Sequence, residues 1–171
     1  MTIVPDTKDW TWVLERPCPS CGFDPVAIDA RETGQAVRDR TAPWAAILAR
    51  ADVRERPRVD TWSPLEYGCH VRDVCRTFDG RLVQLLTEDD PTFENWDQDA
   101  TALELRYDLE DPASVAGELE ASADVLSTRF ASVTADQWER TGTRSNGSRF
   151  TVATLGVYCV HDLHHHLSDV G

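Results

Sequence analysis

The chain has 171 residues, 41% of them hydrophobic and 27% charged, with a formal net charge of −13; that is enough for one compact domain with a real core. Mean hydropathy is negative, and no stretch reaches the roughly 18–20 apolar residues that a membrane span needs. Thirteen acids and a single base, Arg106, lie between Leu86 and Asp124, a distribution that repels phosphate and argues against nucleic-acid binding.

The first residues, MTIVPDTKDWTWVLERPCPSCGFDP, combine acids and prolines without a basic region followed by an apolar run, so they do not read as a secretory signal. The expected location is cytoplasmic. Residues 1–28 read as an irregular extension broken by Pro5, Pro17, Pro19 and Pro25. Within it, CPSCG is half of a zinc knuckle: a complete structural site needs two further ligands, and the chain has no second CxxC. A plain turn with reduced thiols, a metal site completed elsewhere and a redox pair all remain open for it. Its place in a proline-rich segment ahead of the first helix puts Cys18 and Cys21 outside the bundle core and not among the ligands of a histidine site. The five cysteines are odd in number, which argues against a disulfide framework.

Residues 29–51 favour helix, with Pro43 forcing a kink or a restart near Thr41. The next helix begins at WSPLEYG: Ser63 caps it, Pro64 takes the first turn, and Glu66 completes a capping box. Tyr67, Val71, Val74, Phe78, Leu82 and Leu85 then form an apolar stripe at helical spacing. Residues 89–110 carry few helix signals and read as a long crossing segment, with Trp96 as an anchor or a lid. Asp111 and Pro112 open a third helix, with Val115, Leu119, Ser122, Leu126, Phe130 and Val133 as its stripe. TGTRSNGSRF is a turn, and the last helix starts near Phe150 or Thr151. Four long helices predict an all-α four-helix bundle with a long crossover between the second and third, one domain over residues 1–171.

Four of the five histidines fall in the last eleven residues. At about 100° per residue, His161 and His165 share one helix face with Thr154, Tyr158 and Ser168, a spacing that can hold one metal ion. Gly156, Val160, Leu163, Leu167 and Val170 form the opposite face and require a cover: the other helices, the first 28 residues or a second subunit. His70, the fifth histidine, lies on the second helix at the edge of its stripe. His70, His161 and His165 therefore make a three-histidine candidate site, ordinary surface or core histidines being the alternative. His164 and His166 point away from it. Asp73 and Asp162 are candidates to orient the ligand imidazoles. Arg144 and Arg149 flank the turn before the last helix and can meet a carboxylate.

WSPLEYGCHVRDV, NWDQDA and FTVATLGVYCVHDLHHHLSDV, in that order and spacing, resemble the DinB/YfiT-like metal-binding four-helix bundles, in particular the branch that includes mycothiol-dependent maleylpyruvate isomerase and other mycothiol S-transferases. The resemblance implies one histidine on the second helix and HxxxH on the last, which maps onto His70, His161 and His165. It also implies a divalent ion, zinc or nickel, that activates the thiolate of a low-molecular-weight thiol such as mycothiol. Trp96, Arg144, Arg149 and Tyr158 then stand as thiol- or substrate-binding candidates. The expectation is a metal-dependent thiol S-transferase or isomerase acting on a small electrophile, as a monomer or homodimer. A hydrolase using water, and a non-enzymatic metal- or thiol-binding stress protein, are the alternatives.

Overall fold

The computed structural model describes residues 9–171; residues 1–8 of the expected N-terminal extension, with Pro5, lie outside the described residues. Four helices make the bundle: α1 (Thr33–Thr41), continued by the short α2 (Trp44–Leu48), then α3 (Pro64–Thr87), α5 (Pro112–Ala131) and α6 (Val152–Asp169). The break at Pro43 separates α1 from α2, as its missing N–H dictates. Ser63 and Glu66 form the expected capping box at the start of α3. Asp111 accepts from the Ser114 N–H at the start of α5. Thr151 and Thr154 make a second capping box that launches α6.

The core is built from the predicted stripes. Val71, Val74, Phe78, Leu82 and Leu85 of α3 are fully buried or nearly so, as are Val115, Leu119, Leu126 and Phe130 of α5. Ser122 is only half-buried, and Ala123 beside it takes the inward position. Two glycines set how closely α1 sits. A Cβ on Gly34 would lie 2.6 Å from the Ser127 backbone oxygen of α5, and one on Gly156 would lie 2.7 Å from the Thr33 hydroxyl. Only glycine lets α1 approach both neighbours at that range.

The crossing segment and the turn contain more order than the sequence predicts. Thr92–Phe93 (β1), Thr141–Arg144 (β2) and Arg149–Thr151 (β3) form a small sheet in the order β1-β2-β3. β1 runs parallel to β2, and β2 pairs antiparallel with β3 around Gly147 at φ +94°. A seven-residue helix, α4 (Gln98–Glu104), follows β1. Two- to four-residue strands carry no alternation long enough to read. The sheet ties the crossover to the entrance of α6. Arg81 reinforces it by donating to the Glu94 carbonyl at 3.1 Å.

A buried polar network locks α3 to the loop before α5. Arg72 donates to both carboxylate oxygens of Asp73 at 2.9 and 3.1 Å, and the Tyr107 hydroxyl donates to the same carboxylate at 2.5 Å. Burial alone would raise the Asp73 pKa, but the bonds from Arg72 and Tyr107 outweigh it and hold the carboxyl below its ordinary value of 3.8. Its contribution to stability is therefore present above that value and is lost as pH falls through the lower native value. Asp73→Asn should cost about 3 kcal/mol at pH 7, since it removes the buried carboxylate to which both Arg72 and Tyr107 donate and leaves buried Arg72 only the half-exposed Glu118 at 3.1 Å and Glu110 at 3.6 Å. Urea unfolding will measure this, and the gap between the two proteins should close below pH 3.8.

Candidate metal centre

The sequence HDLHHH on α6 contains two pairs of potential ligands one helical turn apart, and they diverge. His161 and His165 point toward the N-terminal extension, where their ring nitrogens gather with the sulfurs of Cys18 and Cys21. Asp162 and His166 point toward α3, where they gather with His70. Within each group, one ligand atom from every member lies within 4.8 Å of all the others.

His70 of α3 is fully buried. Its ring stacks on Trp96 at 5.2 Å with an interplanar angle of 7° and meets the His166 ring edge-on at 4.5 Å. Trp96 is fixed in turn, because its indole N–H donates to the Thr101 hydroxyl of α4 at 2.8 Å. Neither ring nitrogen of His70 has a hydrogen-bond partner. A buried, unpartnered imidazole is costly, and here its Nε2 faces Asp162 Oδ1 at 3.7 Å. That is too far for a hydrogen bond, and it is the spacing of two donors that share one ion at bonds of about 2.0–2.2 Å. His166 Nε2 lies 3.1 Å from the same oxygen. Two imidazoles and a carboxylate thus converge, and this donor set fits a divalent ion.

Asp169, one turn further on, accepts from His166 Nδ1 at 3.0 Å, which aims Nε2 at the group. Burial would lower the His166 pKa, but the carboxylates of Asp162 and Asp169 more than offset it and lift it to about 9. Burial, aided by the charge of His166, pushes His70 below its usual range. Against burial, the neighbouring imidazoles of His166 and His70 draw Asp162 far down, so it is an anion at any working pH.

Beside this group opens a cleft of about 420 Å³, lined among others by Trp10, Trp96, Asp97, Arg144, Tyr158 and Asp162. Arg144 is buried on the hairpin. It donates to Asn146 and Ser148 at 2.9 and 3.1 Å, and its guanidinium lies over the Phe150 and Tyr158 rings.

The expected trio of His70, His161 and His165 is thus divided between two groups. The cause is helical phase: neighbouring residues point about 100° apart. Leu163 and Cys159 face the core, and Asp162 and His166 flank them on the side of α3, whereas His161 and His165 lie another 100° outward. His166 points into the centre and not away from it, and Asp162 is one of the converging donors. Asp73 belongs to the Arg72–Tyr107 network and contributes only a distant charge to His70. Trp96, Arg144 and Tyr158 line the cleft, whereas Arg149 is absent from its lining and pairs with Asp90 at 3.0 Å. Cys18 and Cys21 were expected not to be ligands of the histidine site, and they are gathered with two of its expected members, His161 and His165. The face of α6 that needed a cover has two: Leu163 joins the bundle core, and Val160 packs with Cys18 and Phe23 of the extension. The overlapping pairs in HDLHHH, together with a CxxC lacking two ligands, were the signal for this division.

The sequence model of the DinB superfamily matches residues 34–170. The chain belongs to the DinB superfamily. The match takes in the bundle and leaves out the CxxC extension. Among solved structures, the chain is similar to YfiT from Bacillus subtilis, described as a probable metal-dependent hydrolase with an unusual four-helix bundle topology. The TM-score is 0.73 at 19% identity, over 84% of this chain and 86% of that one. Curated proteins give no match. In this DinB bundle no helix of the described residues is long and apolar enough to cross a membrane.

Asp162→Asn should abolish metal retention at the His70 group. Asp169→Asn should weaken it about 10–100-fold, the usual cost of removing a carboxylate that orients a ligand histidine. Chelator competition on the purified proteins checks both.

Proposed function

We propose that this protein is a divalent-metal-dependent enzyme that draws its nucleophile from solution and joins it to an electrophile held in the cleft. The nucleophile we assign is a low-molecular-weight thiol of the mycothiol type, and the reaction class is S-transfer or isomerisation. The observation that carries the reading is the convergence of His70, Asp162 and His166 beside a cleft. Three protein donors with room for another ligand are the mark of a catalytic rather than a structural centre.

The cleft supplies no aliphatic hydroxyl, thiol or amine nucleophile: among the described residues that line it there is no Ser, Thr, Cys or Lys. Cys69, Cys75 and Cys159 are buried within the bundle, and burial pushes the first two up to about 12 and the third well above its ordinary value. Such thiols are inert. A divalent ion held by His70, Asp162 and His166 would supply Lewis acidity, which makes a thiol of ordinary pKa near ~8.5 acidic enough to react as thiolate at neutral pH.

The side chains around the cleft define the rest. Trp96 closes one side and shields His70 from water. Arg144, buried and positive, can hold a carboxylate or a developing negative charge on the electrophile, and Tyr158 offers a ring and a hydroxyl beside it. The thiol loses its proton to solvent, sulfur bonds to the electrophilic carbon, and the leaving group departs with its electron pair. In an isomerisation the thiol itself is expelled again. Five cysteines without a disulfide suit the reducing cytoplasm in which such a thiol is found.

A second reading, hydrolysis by water activated at the same centre, is favoured by the likeness to YfiT, itself described as a probable metal-dependent hydrolase. A panel of small electrophiles, incubated with metal-loaded protein with and without mycothiol and read by mass spectrometry, separates the two. We expect thiol adducts or thiol-dependent isomerisation, with kcat/KM lowered about 1,000-fold or more in folded His70→Ala and His166→Ala proteins, as for loss of a metal centre that lowers the barrier by several kcal/mol. Products that gain water without any thiol would install the hydrolase reading. Metal binding without turnover would sink both.

A further inference from the structure

We infer that Cys18, Cys21, His161 and His165 form a second, closed zinc site that clamps the N-terminal extension onto α6. The CxxC and the HxxxH lie at opposite ends of the chain, yet one ligand atom from each of the four residues falls within 4.8 Å of all the others. Zinc bonds of about 2.3 Å to sulfur and 2.0–2.1 Å to nitrogen, arranged tetrahedrally, place ligand atoms about 3.3–3.8 Å apart. Cys18 Sγ and His165 Nδ1 are 3.9 Å apart, so little movement is needed.

The loop is shaped as a zinc knuckle. Cys18 N–H donates to the Phe23 carbonyl and Gly22 N–H to the Cys18 carbonyl, each at 2.8 Å, and Gly22 takes φ +74°. That backbone turns both sulfurs to one side, and only glycine adopts it without strain. His164 Nε2 lies 3.1 Å from the Cys21 carbonyl oxygen and binds the knuckle to the helix. Cys18 is 1% exposed and His161 4%, with Phe23 edge-on to the His161 ring at 5.2 Å, while Cys21 and His165 are partly buried and both histidines edge the cleft. His161 Nε2 has no hydrogen-bond partner, a cost that an ion would remove. Two sulfurs and two nitrogens complete a tetrahedron and leave no open position, which marks a structural site and not a catalytic one.

The two groups make the test separable, because each can be removed alone. Zinc-loaded wild type should carry two equivalents by elemental analysis, and Cys18→Ser/Cys21→Ser and His70→Ala one each. With cobalt(II) in place of zinc, wild type and His70→Ala should show thiolate-to-cobalt charge-transfer absorption, and the double serine variant none. Wild type needs no substitution for a further measurement: alkylation of Cys21, mapped by mass, should accelerate at least tenfold when a chelator strips the zinc. An equal zinc content in wild type and a folded double serine variant, an absent charge-transfer band in wild type, or Cys21 reactivity indifferent to the chelator would each overturn the site. A Cys18–Cys21 disulfide in protein purified without oxidant would do the same.

Discussion

Neighbouring residues of an α-helix point about 100° apart, and α6 uses that angle to serve two polar groups from one short run. His161 and His165 look outward to the CxxC, while Asp162 and His166 look across to His70. Rotating the helix by one residue would break both groups. Its phase must therefore be fixed by other means, and the apolar residues supply them. Leu155, Cys159 and Leu163 are fully buried, and the close contact at Gly156 admits no side chain. At the far end, Arg50 donates to the Val170 carbonyl at 2.7 Å, which holds the last turn.

The same geometry explains why a strongly acidic chain can bury its imidazoles beside carboxylates. Asp162 stands between His70 and His166, and Asp169 lies on the other side of His166. Each charge is compensated by a neighbour, the condition under which partly buried ions are tolerated. Asp73 is treated likewise by Arg72 and Tyr107, one turn further along α3. The acids of the crossover have a different role, since most of them face water. That segment turns inward at Phe93 and Tyr107 and around Trp96, which is pinned by Thr101 and by the pairing of β1 with β2.

The bundle was legible because its signals are local and strong. Ser63 with Glu66, Asp111 with Pro112 and the break at Pro43 all act within a turn of themselves, and they mark helix ends where the structure has them. The sheet was not legible, because Thr92–Phe93 is too short to show a period and its partner lies some fifty residues away. The metal centre was half legible. His70 and the last helix were recognised as its source, but a helical wheel gives relative angles and not the absolute direction of the neighbouring helix. Centring the polar face on His161 and His165 set it opposite Leu163, although the direction of α3 lies between the two. His166, set aside as pointing away, is the residue that this error displaced.

The two donor sets also divide the chemistry between different ions and different tasks. Two thiolates and two imidazoles form a soft, complete shell that favours zinc and leaves no place for a substrate. Two imidazoles and a carboxylate are harder and incomplete, and they lie where a cleft gives access. The closed site gains a function from the open one. Trp10 of the extension packs within 5.7 Å of the His161 ring and 5.2 Å of the His165 ring, and it lines the same cleft as Asp162 and His166. Clamping the knuckle onto α6 therefore builds one wall of the cleft. That wall is attached to the helix at residues directly adjacent in sequence to Asp162 and His166. Packing already seats the extension there, through Cys18, Phe23 and Val160 with the partly buried Trp10, Trp12, Cys21, Ile28, Ala36 and Val157 around them. Four bonds to the zinc inferred there would tie that packed wall directly to the helix that carries the centre.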